Sequence, residues 1–183
     1  MKEANPWKLI ATRIAYKNDW ISVHEDSVIT PTGRKGIYGY IRSKDSVVVV
    51  ALNDQDEVYV IRIFGYPQAS WIWQLPGGGG DDEDPLVAAK RELKEETGIV
   101  AQNWDKLGET TVCKGLMTEK MTTFLARNLE FTEDKESSEE AISSGKFFSL
   151  KDLDTMIAEG AFTDGQALTA LYLARLYLDQ ERQ

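Results

Sequence analysis

Residues 77–99, GGGGDDEDPLVAAKRELKEETGI, constrain the fold more than any other stretch of the chain. Four glycines lead into an acidic turn and then into a segment of helical periodicity. Asp84 is a suitable N-cap, Pro85 fits the first helical position, and Gly98 fits a left-handed C-cap. The pattern predicts a helix that ends before Gly98 and follows a loop whose backbone can approach a ligand closely. Its apolar side is expected to comprise Leu86, Val87, Ala89, Leu93 and the stem of Lys90.

The second half of this helix carries a group of carboxylates. Glu92 lies three and four residues before Glu95 and Glu96, so the three side chains point to about the same side. At about 4 Å and an effective dielectric constant near 20, each like-charge pair costs on the order of 4 kcal/mol before screening. Arg91 can offset Glu95 at i,i+4, but it cannot neutralise the whole group. A solvated face held by ion pairs is the plainer interpretation of the helix alone, whereas the glycine loop favours bound Mg²⁺ or Mn²⁺.

Composition removes several classes of function. The net charge of −9 argues against nonspecific binding of nucleic acid or of anionic membranes. A single cysteine, Cys113, excludes an intrachain disulfide and a cysteine-rich zinc site. The sequence also has neither a signal peptide nor an apolar run of membrane length. Together with the single cysteine, this predicts a cytoplasmic protein. The single histidine, His24, has no context of a Ser-His-Asp triad and is expected to face solvent on a strand.

Strand patterns recur along the chain and precede or flank the helical segments. They occur at residues 19–30, 36–43, 46–52, 57–64, 70–75, 109–115, 121–129 and within 139–150. A second helix is expected after the N-cap Ser149, and a third has Ala167, Leu171, Ala174 and Leu178 on one face. Strands outnumber helices, which predicts an α+β fold in which helices cover a sheet.

The strands before residue 46 pose a separate problem. A hairpin standing alone is only marginally stable in water. We therefore expect residues 1–45 to form an extension that pairs with something else, such as a second copy of the chain. Residues 46–183 are then the main domain.

The glycine loop and the glutamate helix together resemble the Nudix box, in which spaced glycine and glutamate positions precede Arg-Glu-aliphatic-x-Glu-Glu-x-Gly-aliphatic. Its defined positions are occupied by Gly77, Glu83, Arg91, Glu92, Leu93, Glu95, Glu96, Gly98 and Ile99. The resemblance implies an α/β/α sandwich and a metal-assisted attack of water on a nucleoside diphosphate linked to a further group. It also implies that Glu92, Glu95 and Glu96 hold metal, that Glu83 and the Gly77 carbonyl assist, and that Arg91 orients a catalytic glutamate.

The flanking segments resemble one branch of that family, the ADP-ribose and nucleoside diphosphate sugar pyrophosphatases. The resemblance lies in YKNDWISVHEDSVITPTGRKGIYGY, IRIFGYPQASWIWQLPGGGG, CKGLMTEKMTTFLARNL and DGQALTALYLA. It implies an N-terminal sheet that is exchanged between the subunits of a homodimer. It also implies a catalytic loop in which Glu119 is the candidate general base.

The substrate-binding candidates are Arg62, Tyr66, Trp20 and Lys114, with Trp71 and Trp73 as further stacking residues. Gly65 replaces the arginine expected before Tyr-Pro, and Gln74 replaces the glutamate expected before Leu-Pro. Lys114 stands where some members carry a proline that marks ADP-ribose specificity. Lys114 in place of that proline favours a broader set of nucleoside diphosphate sugars, such as ADP-ribose, ADP-glucose and GDP-mannose.

Four functional hypotheses remain open on the sequence. The first is a divalent-metal-dependent hydrolase of nucleoside diphosphate sugars. The second is a housecleaning hydrolase of nucleoside triphosphates or dinucleoside polyphosphates, for which the N-terminal extension would be unnecessary. The third is a nucleotide-binding sensor without activity, which would not need the complete set of glutamates. The fourth is an acidic metal buffer, which would not need the glycine loop.

Overall fold

The computed structural model describes residues 4–80, 83–132 and 141–182. The acidic residues Asp81 and Asp82, and the start of the strand expected within 139–150, lie outside this description. The chain divides into two units, Met1–Lys44 with Thr111–Lys120 and Asp45–Thr110 with Met121–Gln183. The sequence did not indicate that residues 111–120 group with the N-terminal strands. The assignment of residues 1–45 as a dimerisation extension stays a prediction.

The N-terminal unit contains a three-stranded antiparallel sheet rather than a hairpin. Its strands are β1 (Lys8–Lys17), β2 (Ile21–Ile29) and β3 (Lys35–Ser43), in the order β1-β2-β3. The sequence does not predict strand β1, because every residue of KLIATRIAYK is exposed and the strand has no buried face to alternate. The third strand supplies pairing that the two-strand expectation lacked.

His24 is buried and does not face solvent, which corrects the expectation from the sequence. Its residue exposure is 8%. The imidazole stacks on the ring of Tyr40 at 5.2 Å, and its Nε2 lies 2.9 Å from Ser22 Oγ. A directly opposed aromatic on β3 covers the ring, and β-strand pairing of this kind is not visible in the local sequence.

The second unit is built from two sheets and three helices. In chain order its elements are β4 (Ser46–Ala51), β5 (Glu57–Gly65), β6 (Ser70–Gln74), β7 (Gly77–Gly79), α1 (Pro85–Thr97), β8 (Ile99–Thr111), β9 (Lys120–Phe131), β10 (Ile142–Ser149), α2 (Leu150–Ala158) and α3 (Gly165–Glu181). One sheet has the strand order β7-β4-β9-β8 and the other β10-β5-β6. The predicted α+β class is confirmed.

Strand β4 forms the centre of the larger sheet, as its continuous apolar sequence predicted. It pairs parallel with β9 and antiparallel with β7. Val47, Val49 and Ala51 pack with Leu93 and neighbouring residues of α1 in one buried cluster. Val48 and Val50, which alternate to the other face, are also buried, and α3 contacts the same strand. A strand covered on both faces explains why no polar residue interrupts it.

The helix ends follow the predicted caps. Asp84 accepts a hydrogen bond from Leu86 N at 2.9 Å, and Gly98 adopts φ 71° while donating to the Lys94 carbonyl at 2.8 Å. Ser149 caps α2, and Asp164 caps α3. The apolar face of α1 differs from expectation at Val87, which is 54% exposed; Ala88 is buried.

Two elements in the second unit contradict the expected boundaries. The strand predicted at 109–115 is the end of β8, which begins at Ile99 and stops at Thr111. The first ten residues of its sequence, IVAQNWDKLGETT, have no side-chain pattern that predicts a strand. The glycine loop contains the short strand β7, which pairs with β4. Across the described residues, no helix is both long and apolar enough to span a membrane.

Candidate functional site

The glycine strand β7 lies very close to both its neighbouring strand and helix α1. A methyl group at Gly77 would come 2.2 Å from the Val47 carbonyl oxygen. A methyl group at Gly78 would come 2.6 Å from Cδ and Oε1 of Glu92. Only glycine fits at Gly77, where the close atoms are backbone, whereas a side chain at Gly78 would force the Glu92 carboxylate to shift. The glycine run therefore serves close approach rather than flexibility alone.

Two carboxylates of α1 are buried beside this strand. Glu96 is 2% exposed and Glu92 is 9% exposed. Oε2 of Glu96 accepts a hydrogen bond from Gly77 N at 2.8 Å. The side chains do not fan out into solvent, and burial of two acids one helical turn apart is costly unless cations or donors compensate it.

Arg91 supplies much of that compensation. Its Nε and Nη2 donate to Glu83 Oε1 at 3.0 and 2.8 Å. Its Nη1 donates to Glu92 Oε1 at 2.8 Å and to Glu95 Oε2 at 3.1 Å. Nη2 also donates to the Gly79 carbonyl at 3.1 Å. One planar guanidinium therefore orients three carboxylates and the end of the glycine strand.

The pKa of Arg91 reflects this setting. Burial lowers the pKa, but the hydrogen bond to Glu83 and the negative charge of Glu92 outweigh burial and raise it above its ordinary value. Arg91 is therefore a permanent cation. The sequence indicated its pairing with Glu95, whereas its contacts with Glu83 and Glu92 appear only in the folded chain.

The predicted metal ligands do not form a metal-holding group in this arrangement. Within the described ranges of the chain, no three His, Cys, Asp or Glu side chains form a group that could hold a metal ion. The physical reason is that the Arg91 guanidinium lies among Glu83, Glu92 and Glu95, while Glu96 binds the Gly77 amide. The ligand set stays a prediction. Its donor chemistry fits a hard divalent cation, because all side-chain donors are carboxylate oxygens, and Gly78 leaves room for the Glu92 carboxylate against the backbone.

A cavity of about 250 Å³ opens beside Glu83. Its lining includes two acids that the sequence did not single out, Asp45 and Glu109. They come from the residue before β4 and from β8, so no local motif joins them to the box. The full lining is Asp45, Ser46, Val47, Gly80, Glu83, Pro85, Glu109 and Thr122.

Arg62 is placed on an aromatic surface of the smaller sheet. Its guanidinium carbon lies 5.8 Å from the ring centroid of Trp71 and 5.9 Å from that of Trp73. A Cβ at Gly65 would come 2.7 Å from Ile72 Cδ1, so a larger residue there would require the end of that side chain to shift. Tyr66 projects from the following turn and is 88% exposed.

The remaining candidates belong to the N-terminal unit. Trp20 is 75% exposed in the turn before β2, where Asn18 Oδ1 accepts from its amide at 2.9 Å. Lys114 is exposed and Glu119 is half-buried in the segment between β8 and β9. Their roles toward a substrate stay predictions.

Comparison with known proteins gives two family matches. A model described as the NUDIX domain matches residues 42–171. A second, described as the nucleoside diphosphate sugar hydrolase N-terminal domain, matches residues 7–41.

Individual relatives are distant. An ADP-ribose pyrophosphatase of Bacillus subtilis (strain 168) is 28% identical over 134 residues, which cover 73% of this chain and 72% of that protein. An ADP-ribose pyrophosphatase of Mycobacterium tuberculosis is 22% identical over 168 residues, 90% and 81% of the two chains. The crystal structure of an ADP compounds hydrolase superposes with a TM-score of 0.86 at 20% identity, over 99% and 98% of the two chains. At 20% identity the superposition shows that the two chains share a fold, and it carries no conclusion about activity.

Proposed function

Because the chain belongs to the NUDIX family, whose model matches residues 42–171, we propose that it hydrolyses the pyrophosphate bond of nucleoside diphosphate sugars. The products are a nucleoside monophosphate and a sugar 1-phosphate. The match of residues 7–41 to the nucleoside diphosphate sugar hydrolase N-terminal domain carries this choice of substrate class. The two ADP-ribose pyrophosphatases among its relatives support it.

In this proposal the box carboxylates hold the metal. Glu92, Glu95 and Glu96 bind Mg²⁺ or Mn²⁺, and Glu83 and the Gly77 carbonyl are accessory donors. When bound, the cation neutralises diphosphate oxygens and lowers the pKa of water. Gly77 and Gly78 keep Glu92 and Glu96 against the backbone, which limits the conformations those carboxylates can adopt.

The remaining residues have separate tasks. Arg91 orients Glu92 and Glu95 through its two Nη1 contacts. Glu119 is the general base that takes a proton from the attacking water. Arg62 binds the substrate phosphates, with Trp20, Tyr66 and Lys114 as further substrate contacts.

A substrate panel tests the function. ADP-ribose, ADP-glucose, GDP-mannose, UDP-glucose, GTP and Ap4A are incubated with the protein and Mg²⁺, and nucleotide products are separated by chromatography. Fastest turnover of a nucleoside diphosphate sugar supports the proposal. Preference for GTP or Ap4A favours the housecleaning hydrolase, and no turnover of any compound favours the sensor.

Variants separate the residue roles from the reaction class. Glu96→Gln is expected to reduce turnover by orders of magnitude with an unchanged circular dichroism spectrum. Glu119→Ala is expected to reduce turnover less and to leave metal affinity, measured by calorimetry, unchanged. Wild-type rates in Glu96→Gln would refute its ligand role.

We further propose that the protein is a cytoplasmic homodimer that exchanges its N-terminal sheets. Several large apolar side chains on that sheet are more than half exposed in the single chain, which is unusual for a surface that no partner covers. They are Leu9, Ile10, Ile14, Tyr16 and Ile37. The exposed thiol of Cys113 suits a reducing compartment. Light scattering tests the assembly, and an active monomer would contradict the exchange.

A further inference from the structure

The segment that carries Glu119 forms a closed turn. Val112 N donates to the Glu119 carbonyl at 3.2 Å, which joins the two ends of the segment. Within it, the amides of Leu116 and Met117 both donate to the Cys113 carbonyl at 3.0 Å. Hydrogen bonds within the segment itself therefore stabilise this turn, independently of its contacts with other elements.

Strand β3 holds the same turn from outside. Ile41 N donates to the Leu116 carbonyl at 2.8 Å, and Thr118 N donates to the Ile41 carbonyl at 3.0 Å. The pattern is a parallel bridge between Ile41 and Met117. The Tyr38 hydroxyl adds a longer hydrogen bond to the Gly115 carbonyl at 3.3 Å. The turn thus uses backbone groups on the edge of β3 that β2 does not use.

We propose that the edge of β3 is the positioning element for the Glu119 turn, and that Tyr38 is a positioning residue within it. The inference rests on the proposed function, because it gives the turn a catalytic task. It goes further by assigning the N-terminal sheet a role in holding the Glu119 turn, in addition to any role in dimerisation.

The physical argument concerns the backbone next to Glu119. A general base must lie within hydrogen-bond reach of the proton that it takes, so a turn that samples many positions presents its carboxylate productively for only part of the time. The Thr118 amide is the last backbone donor before Glu119, and its bond to Ile41 fixes the chain one residue away from the carboxylate. Losing one such bond shifts the local equilibrium by about fivefold.

Two variants remove parts of this tether. Thr118→Pro deletes the amide that donates to Ile41, and Thr118→Ala is its matched control because it keeps that amide. Tyr38→Phe deletes the hydroxyl that reaches Gly115 and keeps the ring that meets Trp7 edge-on at 5.4 Å. Tyr16→Phe removes an exposed hydroxyl from β1 and is the control for Tyr38→Phe.

The first measurement is amide hydrogen exchange, detected by mass spectrometry or NMR. The Ile41 amide should exchange about fivefold faster in Thr118→Pro and more modestly faster in Tyr38→Phe. Thr118→Ala and Tyr16→Phe should exchange at the wild-type rate. Unchanged exchange of the Ile41 amide in both Thr118→Pro and Tyr38→Phe would overturn the tether, whether or not Glu119 is catalytic.

Kinetics then tests whether the tether serves catalysis. In Thr118→Pro we expect kcat to fall about fivefold while KM stays within about twofold. Introducing Tyr38→Phe into a Glu119→Gln background should cause no further loss, because Tyr38 acts through Glu119. An additive loss would overturn the positioning role. Full activity of Glu119→Gln would instead refute the base assigned under the proposed function, and the exchange result would still decide the tether.

Discussion

Gly78→Ala is the sharpest test of how the site is built. The added methyl group would lie 2.6 Å from Cδ and Oε1 of Glu92 and 2.7 Å from its Oε2. Ordinary contact begins near 3.4 Å, so the carboxylate must move by about 0.8 Å. It cannot move independently, because Arg91 Nη1 holds Oε1 at 2.8 Å. The substitution therefore displaces a proposed metal ligand without changing any charge.

The expected effects follow from that displacement. Overpacking of a filled site costs about 2 kcal/mol, which lowers the melting temperature by about 4–8 °C for a chain of this size. Disturbing a group that supports a metal ligand reduces metal affinity or activity by about 10- to 100-fold. We expect the loss to be largest at low Mg²⁺ and partly recovered at high Mg²⁺, because weaker binding can be saturated.

The assay is the rate of nucleoside monophosphate release as a function of Mg²⁺ concentration, with a thermal melt of each protein. Gly108→Ala is the matched control, since its methyl group would meet Leu173 Cδ1 at an ordinary 3.7 Å. Wild-type Mg²⁺ dependence and wild-type kcat in Gly78→Ala would refute the reasoning that Glu92 must lie against β7.

Three further predictions follow from single contacts. Arg91→Lys keeps the charge but loses the paired donors to Glu83, so kcat should fall about 10- to 100-fold with the fold retained by circular dichroism; wild-type kcat would contradict the orienting role. Arg62→Met should raise KM for a nucleoside diphosphate sugar about tenfold with little change in kcat, measured by initial rates. An unchanged KM would remove it from the substrate site. Arg127→Met breaks half-exposed ion pairs with Asp105 and Glu181, so it should lower unfolding free energy in urea by about 1 kcal/mol and leave kcat unchanged; a large fall in kcat would assign this cluster to function.

Local signals were sufficient where the determining interactions are local. At the N-terminus of α1, the Asp84 carboxylate accepts a hydrogen bond from the amide two residues later. At its C-terminus, Gly98 adopts the left-handed conformation. Both depend on neighbours within one turn. The run of consecutive valines in β4 likewise predicts a strand that is buried on both faces, as the structure has it.

The errors occurred where a partner distant in sequence decides the outcome. Strand β1 is fully exposed, so its place beside β2 is set by backbone pairing that leaves no apolar alternation. His24 is buried by an aromatic ring on β3. The polar strand β8 and the glycine strand β7 form because a neighbouring strand offers hydrogen bonds, and neither has a side-chain pattern typical of a strand.

The amino-acid sequence by itself determined the family, the helix with its caps, and the presence of three acids and one arginine at helical spacing. Those are properties of residue types at short separations. Tertiary structure alone decided that Arg91 also holds Glu83 and Glu92, that Glu96 faces the Gly77 amide, and that the Glu119 turn rests on β3. Each of these is a contact between groups brought together by chain folding, and its energy depends on burial and direction, which residue order alone does not specify.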